Sequence, residues 1–454
     1  MSQSTSPESN DKEVQGITRI SVQGFKSLYD ECSIEIRPLT ILAGANSSGK
    51  SSIMQPLLLM KQTLEAPYDP GALLLNGPNV RFTANEQIFS QFKSKKNICV
   101  FSTNIEIDQS KSLLQKFKAA NRGKLTNFEI KHKEGEKENR FWKGMARQEI
   151  LYFLTEYYQN KNESIGWIIQ NTGEMVDHLE YSINLERCFL DLTCKSKIFV
   201  SINTDKSTLL DANLYDSHSH TNLFKTNIRK MIHLPGLRGN PERTYPTTAI
   251  GSEFSGTFEN YVASIINEWQ ESNDKHIKHL NKTLEIIGLP KIEAVQVNDV
   301  QVELRIGRFS IADVGIGVSQ VLPVLVALLV AEPGQLVYIE QPELHLHPRA
   351  QAALANILAD AAKRGVRVVI ETHSELLLLA VQSLVAERQL SPDLVKLHWF
   401  TRGDDGMTKV SSADLDEAGA FGDFPEDFSD VSLKLESRYL NAAESRLSEG
   451  SSGS

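Results

Sequence analysis

Apolar and polar residues alternate along Ile17–Val22 until Gly24 breaks the pattern, which predicts a first strand with one buried face. Leu39–Ala43 is a short unbroken apolar run that leads into GANSSGKSS. From Lys50 to Leu64 the apolar spacing becomes helical. Polar residues rise between Lys93 and Lys230. There, β-like runs at Ile98–Ile107, Phe128–Lys133, Tyr181–Phe189 and Lys197–Ile202 surround a helical piece near Lys143–Tyr158. HLPGLRGNPERTYP (His233–Pro246) then returns the chain to its main domain. Two helices are predicted across Thr257–Ile287, then a β pair, the glycine-rich DVGIGVSQ, an apolar helix, the strand LVYIE, a helix, the strand in VRVVIETHS and another helix. Strands alternating with helices predict an α/β fold with a mixed or parallel sheet flanked by helices, carrying an inserted α+β lobe.

The expected division is a disordered polar tail over 1–15, a first part of the main domain over 16–92, the inserted lobe over 93–230, a second part over 231–428 and a tail over 429–454. With 41 % hydrophobic residues, the 454-residue chain can bury a sizeable core. A net charge of −9 argues against a nucleic-acid coat protein. The longest apolar run, Val321–Ala331, is too short to span a bilayer. Cys32, Cys99, Cys188 and Cys194 show no metal-ligand spacing and read as reduced buried thiols of a cytoplasmic protein.

Candidate chemistry begins at Gly44–Ser51, a full match to GxxxxGK followed by Ser or Thr, between an apolar strand and a helix. Successive N–H groups of such a loop cradle phosphate at a helix N-terminus. The candidate nucleotide residues are Gly44, Ala45, Asn46, Ser47, Ser48, Gly49, Lys50, Ser51 and Ser52. Lys50 neutralises the β- and γ-phosphates of ATP, and the Ser51 hydroxyl is a Mg²⁺ ligand. Nearly three hundred residues on, Glu340 ends its strand where it can reach magnesium through water, and Gln341 follows it. His373 ends the next apolar strand, where it either senses a γ-phosphate or is a satisfied strand-end histidine. His345 and His347 lack the further ligands a zinc site needs. DVGIGVSQ allows close backbone approach to a ligand and is equally readable as a glycine-rich turn before a helix.

In the order ITRISVQGFKSL, GANSSGKSS, a large insert, DVGIGVSQVLPVL, LVYIEQPELHLHP and VVIETHS, the chain resembles ABC/SMC-type ATPase heads, in particular the bacterial RecF-like and OLD-like branch of AAA-family ATPases. LRGNPER and FGDFPEDF bring it close in look to the PtuA-type ATPase subunit of the Septu anti-phage system. The resemblance covers Gly16–Ser90 and His233–Phe428 and is poor across the lobe. It implies ATP held between two heads, with the Gly44–Ser52 loop of one chain on the triphosphate and Gly315, Gly317 and Ser319 of the other on the γ-phosphate. It also implies that Phe25 and Lys26 flank the nucleotide. Aligned with the hydrophobic–DEP pattern, Glu340 takes the place of the magnesium aspartate and Gln341 that of the catalytic glutamate. Pro342 is expected to turn the chain away before Glu343. The leading serine of LSGGQ is missing, and Gln87 is only a candidate for the magnesium-contacting glutamine.

The function this implies is a slow, ATP-dependent ATPase that assembles as a homodimer or higher oligomer and regulates a separately encoded effector, a nuclease, in anti-phage defence. An OLD-type nuclease needs a further metal domain of about a hundred residues, and 54 residues follow Phe400. The alternative is a RecF-like DNA-binding ATPase of repair. Lys93–Lys133 holds ten basic residues against three acidic ones, either a nucleic-acid face or a solvated surface. No membrane-coupling element is evident.

Overall fold

The computed structural model describes residues 16–92, 99–119, 125–146, 148–149, 179–200, 210–216, 221–422 and 437–438, with backbone alone over 179–186, 191–200 and 210–216 and at 316. The expected N-terminal tail, most of the helical piece near Lys143–Tyr158 and nearly all of the C-terminal tail lie outside the described residues.

The first sheet joins β1 (Ile17–Gln23), β2 (Cys32–Glu35), β4 (Val100–Ile107), β5 (Lys111–Ala119), β6 (Leu125–Glu134) and β7 (Lys137–Trp142) in the antiparallel order β2-β1-β4-β5-β6-β7. One face is apolar and packs Ile17, Ile20, Val22, Phe101, Ile105 and Phe117 with Ile53, Leu57 and Met60 of helix α1 (Lys50–Glu65). The other face is polar, as expected of an antiparallel sheet covered on one side. Its charges pair across strands: Arg19–Glu106 at 3.3 Å, Lys116–Glu129 at 3.1 Å and Lys131–Glu138 at 3.0 Å. A boundary at residue 93 therefore divides strands that share one sheet, because β4 runs antiparallel to β1 from Ile107 opposite Ile17 to Ser102 opposite Gln23. Sequence alternation shows that a strand has a buried face but not which strand lies beside it. Farther into the lobe, β8 (Leu179–Glu186), β9 (Phe189–Val200) and β10 (Leu210–Asp216) form a three-stranded sheet, and α2 (Asn222–Lys230) packs Phe224 and Ile228 into the same core as α1.

The central sheet joins β3 (Leu39–Gly44), β11 (Ile232–Leu234), β16 (Leu336–Glu340), β17 (Arg367–Glu371), β18 (Val395–Arg402) and β19 (Thr408–Ala413) in the order β11-β16-β17-β3-β18-β19. All its pairings are parallel except β18–β19. LTILAG, LVYIE and RVVIE are almost unbroken apolar runs because both faces of these strands are covered. A small sheet of β12 (Tyr245–Pro246), β13 (Ile292–Asn298), β14 (Gln301–Ile306) and β15 (Phe309–Ser310) packs beside α3 (Val262–Glu271) and α4 (Lys275–Ile286). Helix α5 (Ile316–Val330) packs its apolar side chains into the largest core, together with residues of α6 (Pro348–Lys363) and α7 (Glu375–Ala386). The register sets Glu340 beside Glu371 and Glu371 beside Leu42, so the carboxyl ends of β16, β17 and β3 share one edge. Ligands of parallel α/β sheets bind at such an edge.

Cys32 and Cys188 are buried thiols, whereas Cys99 is exposed, which corrects its expected burial. It lies one residue before β4 begins, where its carbonyl accepts from the Ala119 N–H at 3.3 Å.

Candidate phosphate and magnesium site

The loop between β3 and α1 takes a left-handed backbone at Gly44 (φ 138°), Ser47 (φ 60°) and Gly49 (φ 104°). Two of these turns demand glycine for space as well. A Cβ on Gly44 would stand 2.2 Å from the Phe400 carbonyl oxygen, and one on Gly49 would stand 2.3 Å from Thr408 Oγ1. Thr408 Oγ1 donates to the Ser48 carbonyl at 2.7 Å, so β19 braces the loop from outside. Ala45, Asn46 and Ser47 are exposed at the tip, while Ser48, Gly49 and Ser52 are buried. Lys50 is buried, and its Nζ donates to the Gly44 and Ala45 carbonyls at 3.0 and 2.8 Å. Burial holds its pKa down against the opposing charges of Glu371 and Glu343.

Ser51 Oγ donates to Glu371 Oε1 at 2.9 Å, and the buried Tyr338 hydroxyl donates to Glu371 Oε2 at 2.8 Å. Glu371 is thus the carboxylate in direct contact with the loop serine. The sequence reading missed it, although it ends an apolar strand just as Glu340 does. Glu340 faces the adjoining segment instead: Oε1 meets His233 Nε2 at 3.2 Å, and Oε2 accepts from the Gly236 N–H at 3.1 Å. Burial and the neighbouring Glu340 push the Glu371 pKa up, against the hydrogen bonds from Tyr338 and Ser51 and the charge of Lys50. Burial alone would raise Glu340, but its bonds to His233 and Gly236 hold it below the usual range.

Gln341 follows with φ 45°, and its N–H donates to the Glu371 carbonyl at 2.7 Å. The chain does not turn away at Pro342 as expected. A turn closed by Leu344 N–H on the Gln341 carbonyl brings Glu343 back inside. Glu343 Oε1 accepts from Thr372 Oγ1 at 2.7 Å and from the His373 N–H at 3.0 Å, and its buried Oε2 has no hydrogen-bond partner among the described residues. The His373 ring is half-buried and bonds to the Gly44 backbone. Burial and then the Lys50 charge lower its pKa, so it is neutral near pH 7.

Phe25 does not flank this site. It is fully buried, with its ring edge-on to Phe101 at 5.3 Å and to Phe82 at 6.3 Å, because the turn Gly24–Leu28 folds it under β1. Lys26 bonds Gln55 Oε1 at 3.1 Å on α1 and lies over the Phe82 ring. Gln87 is taken up locally, accepting from the Thr83 N–H at 2.8 Å. His347 caps α6, accepting from the Arg349 N–H. Gly315 caps α5 in open space; a Cβ on Gly317 would meet the His345 carbonyl oxygen at 3.0 Å; Ser319 is buried in the first turn.

The donor set fits magnesium. Magnesium takes hard oxygen ligands, one or two carboxylates with phosphate and water making up the rest. Ser51, Glu371 and the adjoining Glu340 supply such oxygens, and a cation relieves the repulsion that burdens Glu371. Among the described residues no cluster of three acidic, histidine or cysteine side chains could hold a metal ion by itself. Ser51, Glu371 and Glu340 would hold such an ion, and it would supply neutralisation of charge developing on a transferred phosphoryl group.

A family model described as the AAA ATPase domain matches residues 16–378. Among solved structures, the chain is similar to an SMC head bound to the C-winged helix domain of ScpA, at 14 % identity over 89 % of this chain and 99 % of that one, TM-score 0.47. It is similar to the SMC head domain from Thermotoga maritima at 10 % identity over 88 % and 100 %, TM-score 0.39. An SMC head with an extended coiled coil, bound to the C-terminal domain of ScpA derived from Pyrococcus furiosus, gives 11 % identity over 88 % and 96 %, TM-score 0.44. No curated protein matches.

Proposed function

We propose a function from one premise: the chain belongs to the AAA ATPase domain family. It binds ATP with Mg²⁺ on the Gly44–Ser52 loop and hydrolyses it slowly. The observation that carries this reading is Gln341, an amide held in a left-handed turn directly after Glu340 and beside Glu371. An amide orients water but takes no proton at neutral pH. General-base help is typically worth about 10²–10⁴-fold. Lys50, Ser51, Glu371 and His373 keep the positioning and charge stabilisation on which phosphoryl transfer mostly depends.

In this reading two copies close on ATP, with Gly315, Gly317 and Ser319 of one facing the nucleotide of the other. The long-lived closed assembly holds a separately encoded effector, a nuclease, in one state in the cytoplasm of a bacterium defending against phage. The resemblance to the Septu ATPase subunit supports the defence role. The RecF-like alternative draws on the basic run, whose Lys116 and Lys131 are paired with Glu129 and Glu138 across strands. Lys124 of that run lies outside the described residues.

The test is Gly315→Glu. Gly317 is the poorer probe, since any side chain there crowds His345 of its own chain, whereas a Cβ on Gly315 meets nothing within 4 Å. ATP-dependent association and hydrolysis should be abolished while nucleotide affinity of the monomer stays within about twofold. Normal hydrolysis by Gly315→Glu would remove the two-head reading.

A further inference from the structure

We infer that Arg238 is a positioning residue that ties the first turn of α5 to the peptide carrying Gln341, so that the state of one is felt by the other. The inference rests on the reading of Gln341 given above and adds the element that directs it.

Arg238 lies in the LRGNPER segment, which the sequence offered only as a resemblance. It is 6 % exposed. Its Nη2 donates to the Glu340 carbonyl at 3.0 Å, and its Nη1 donates to the Gln320 carbonyl at 3.2 Å. Gln320, 2 % exposed, answers through its own amide, donating from Nε2 to the Arg238 and Gly239 carbonyls at 3.1 and 3.3 Å. The two residues thus lock each other's backbone.

The Glu340 carbonyl and the Gln341 N–H belong to one planar peptide unit. Arg238 holds its oxygen, and the Glu371 carbonyl holds its hydrogen at 2.7 Å. A plane fixed at both ends sets the direction in which the Gln341 side chain leaves the backbone. The same segment also grips the Glu340 side chain, through His233 on Oε1 and the Gly236 N–H on Oε2. One short stretch of chain, His233–Arg238, therefore holds Glu340 at three of its oxygens and Gln320 at its carbonyl. Ser319 and Gly317, expected to face the second head, stand one and three residues before Gln320. A shift of that turn when a second head docks moves Gln320, and the clamp passes the shift to the 340–341 peptide.

The guanidinium suits the task because its planar fork reaches two carbonyls at once. Burial lowers the Arg238 pKa to about 10, which leaves it charged at neutral pH. A lysine keeps the charge but cannot span both acceptors in fixed geometry.

The experiment compares wild type, Arg238→Lys, Gln320→Leu and the double variant as full chains, reading kcat, ATP affinity by calorimetry and thermal midpoint. Lost hydrogen bonds from a charged group predict a kcat lower by about tenfold or more in Arg238→Lys, and loss of the two neutral bonds from Gln320 Nε2 predicts a fall of about fivefold or more in Gln320→Leu. ATP affinity should move by less than about twofold, because the Gly44–Ser52 loop is untouched. The double variant should be no slower than the slower single one, since both break one clamp. If Arg238→Lys misfolds, Gln320→Leu carries the same split by itself. Wild-type kcat in both single variants, or kcat and affinity falling together with additive effects, overturns the inference. Failure of the function proposed above has a different signature, an inactive wild type.

Discussion

At the scale of single residues, the phosphate loop was fully legible because one short pattern fixes both its backbone and its chemistry. Lys50→Ala should weaken ATP binding at least about tenfold, since a hydrogen bond to a charged group contributes about 1.5–3 kcal/mol; calorimetry on the purified chain checks it. The carboxylates were legible only in part. Glu340 was read as the magnesium residue from its place at the end of LVYIE, yet its carboxylate turns to His233 and Gly236, residues about a hundred positions earlier. Glu371 took the contact with Ser51 instead. Glu371→Gln should raise the Mg²⁺ concentration needed for half-maximal ATP binding by roughly tenfold. Binding of ATP without the ion should change little, and an unaltered Mg²⁺ titration counts against this ligand. Phe25 shows the opposite error: a motif position suggested contact with nucleotide, while an aromatic between two strand ends is more cheaply buried, and it is fully buried.

At the scale of elements, the buried parallel strands were the easiest to read, because both faces are covered and the runs LTILAG, LVYIE and RVVIE are almost unbroken apolar. β18 departs from that rule with His398, which is 1 % exposed. Its ring nitrogens meet Ser412 Oγ at 2.7 Å and the Glu35 carbonyl at 2.8 Å, which satisfies the neutral ring. Burial lowers its pKa from 6.5 to about 4. The folded state therefore resists the proton that the unfolded chain accepts, so this stability is present above about pH 6.5 and is lost as pH falls toward about 4. The loss is on the order of 3 kcal/mol. Unfolding free energies from urea titrations should fall between about pH 7.5 and about pH 4.5 by nearly that much more in wild type than in His398→Gln; parallel falls contradict it. The antiparallel sheet was misdivided because its strands β1 and β4 are separated by α1 and a long loop, and neighbours in space leave no trace in alternation.

At the scale of the whole molecule, two features bear on the proposed regulatory head and on its nucleic-acid-binding alternative. Charges on the polar face of the first sheet pair across strands, and the buried Glu129 keeps Arg140 when Lys116 is removed, so Lys116→Gln with Lys131→Gln should cost about 1–3 kcal/mol of stability and leave hydrolysis within about twofold. Loss of hydrolysis in that pair would return the face to the mechanism. The second feature is the edge where β3, β16 and β17 end, which gathers Lys50, Ser51, Glu371, Glu340, Gln341 and His373 from segments some three hundred residues apart. In the proposed function, what this edge lacks is a carboxylate at Gln341. Glu343, turned inward and buried, is a rival for the base, and its Oε1 is engaged with Thr372 and His373. Steady-state hydrolysis by Gln341→Glu is the most direct measurement. The predicted result is slow turnover in wild type, with turnover faster by about tenfold or more and a shorter-lived closed assembly in the variant. Unchanged turnover in Gln341→Glu, or brisk wild-type turnover abolished by Glu343→Gln, contradicts it.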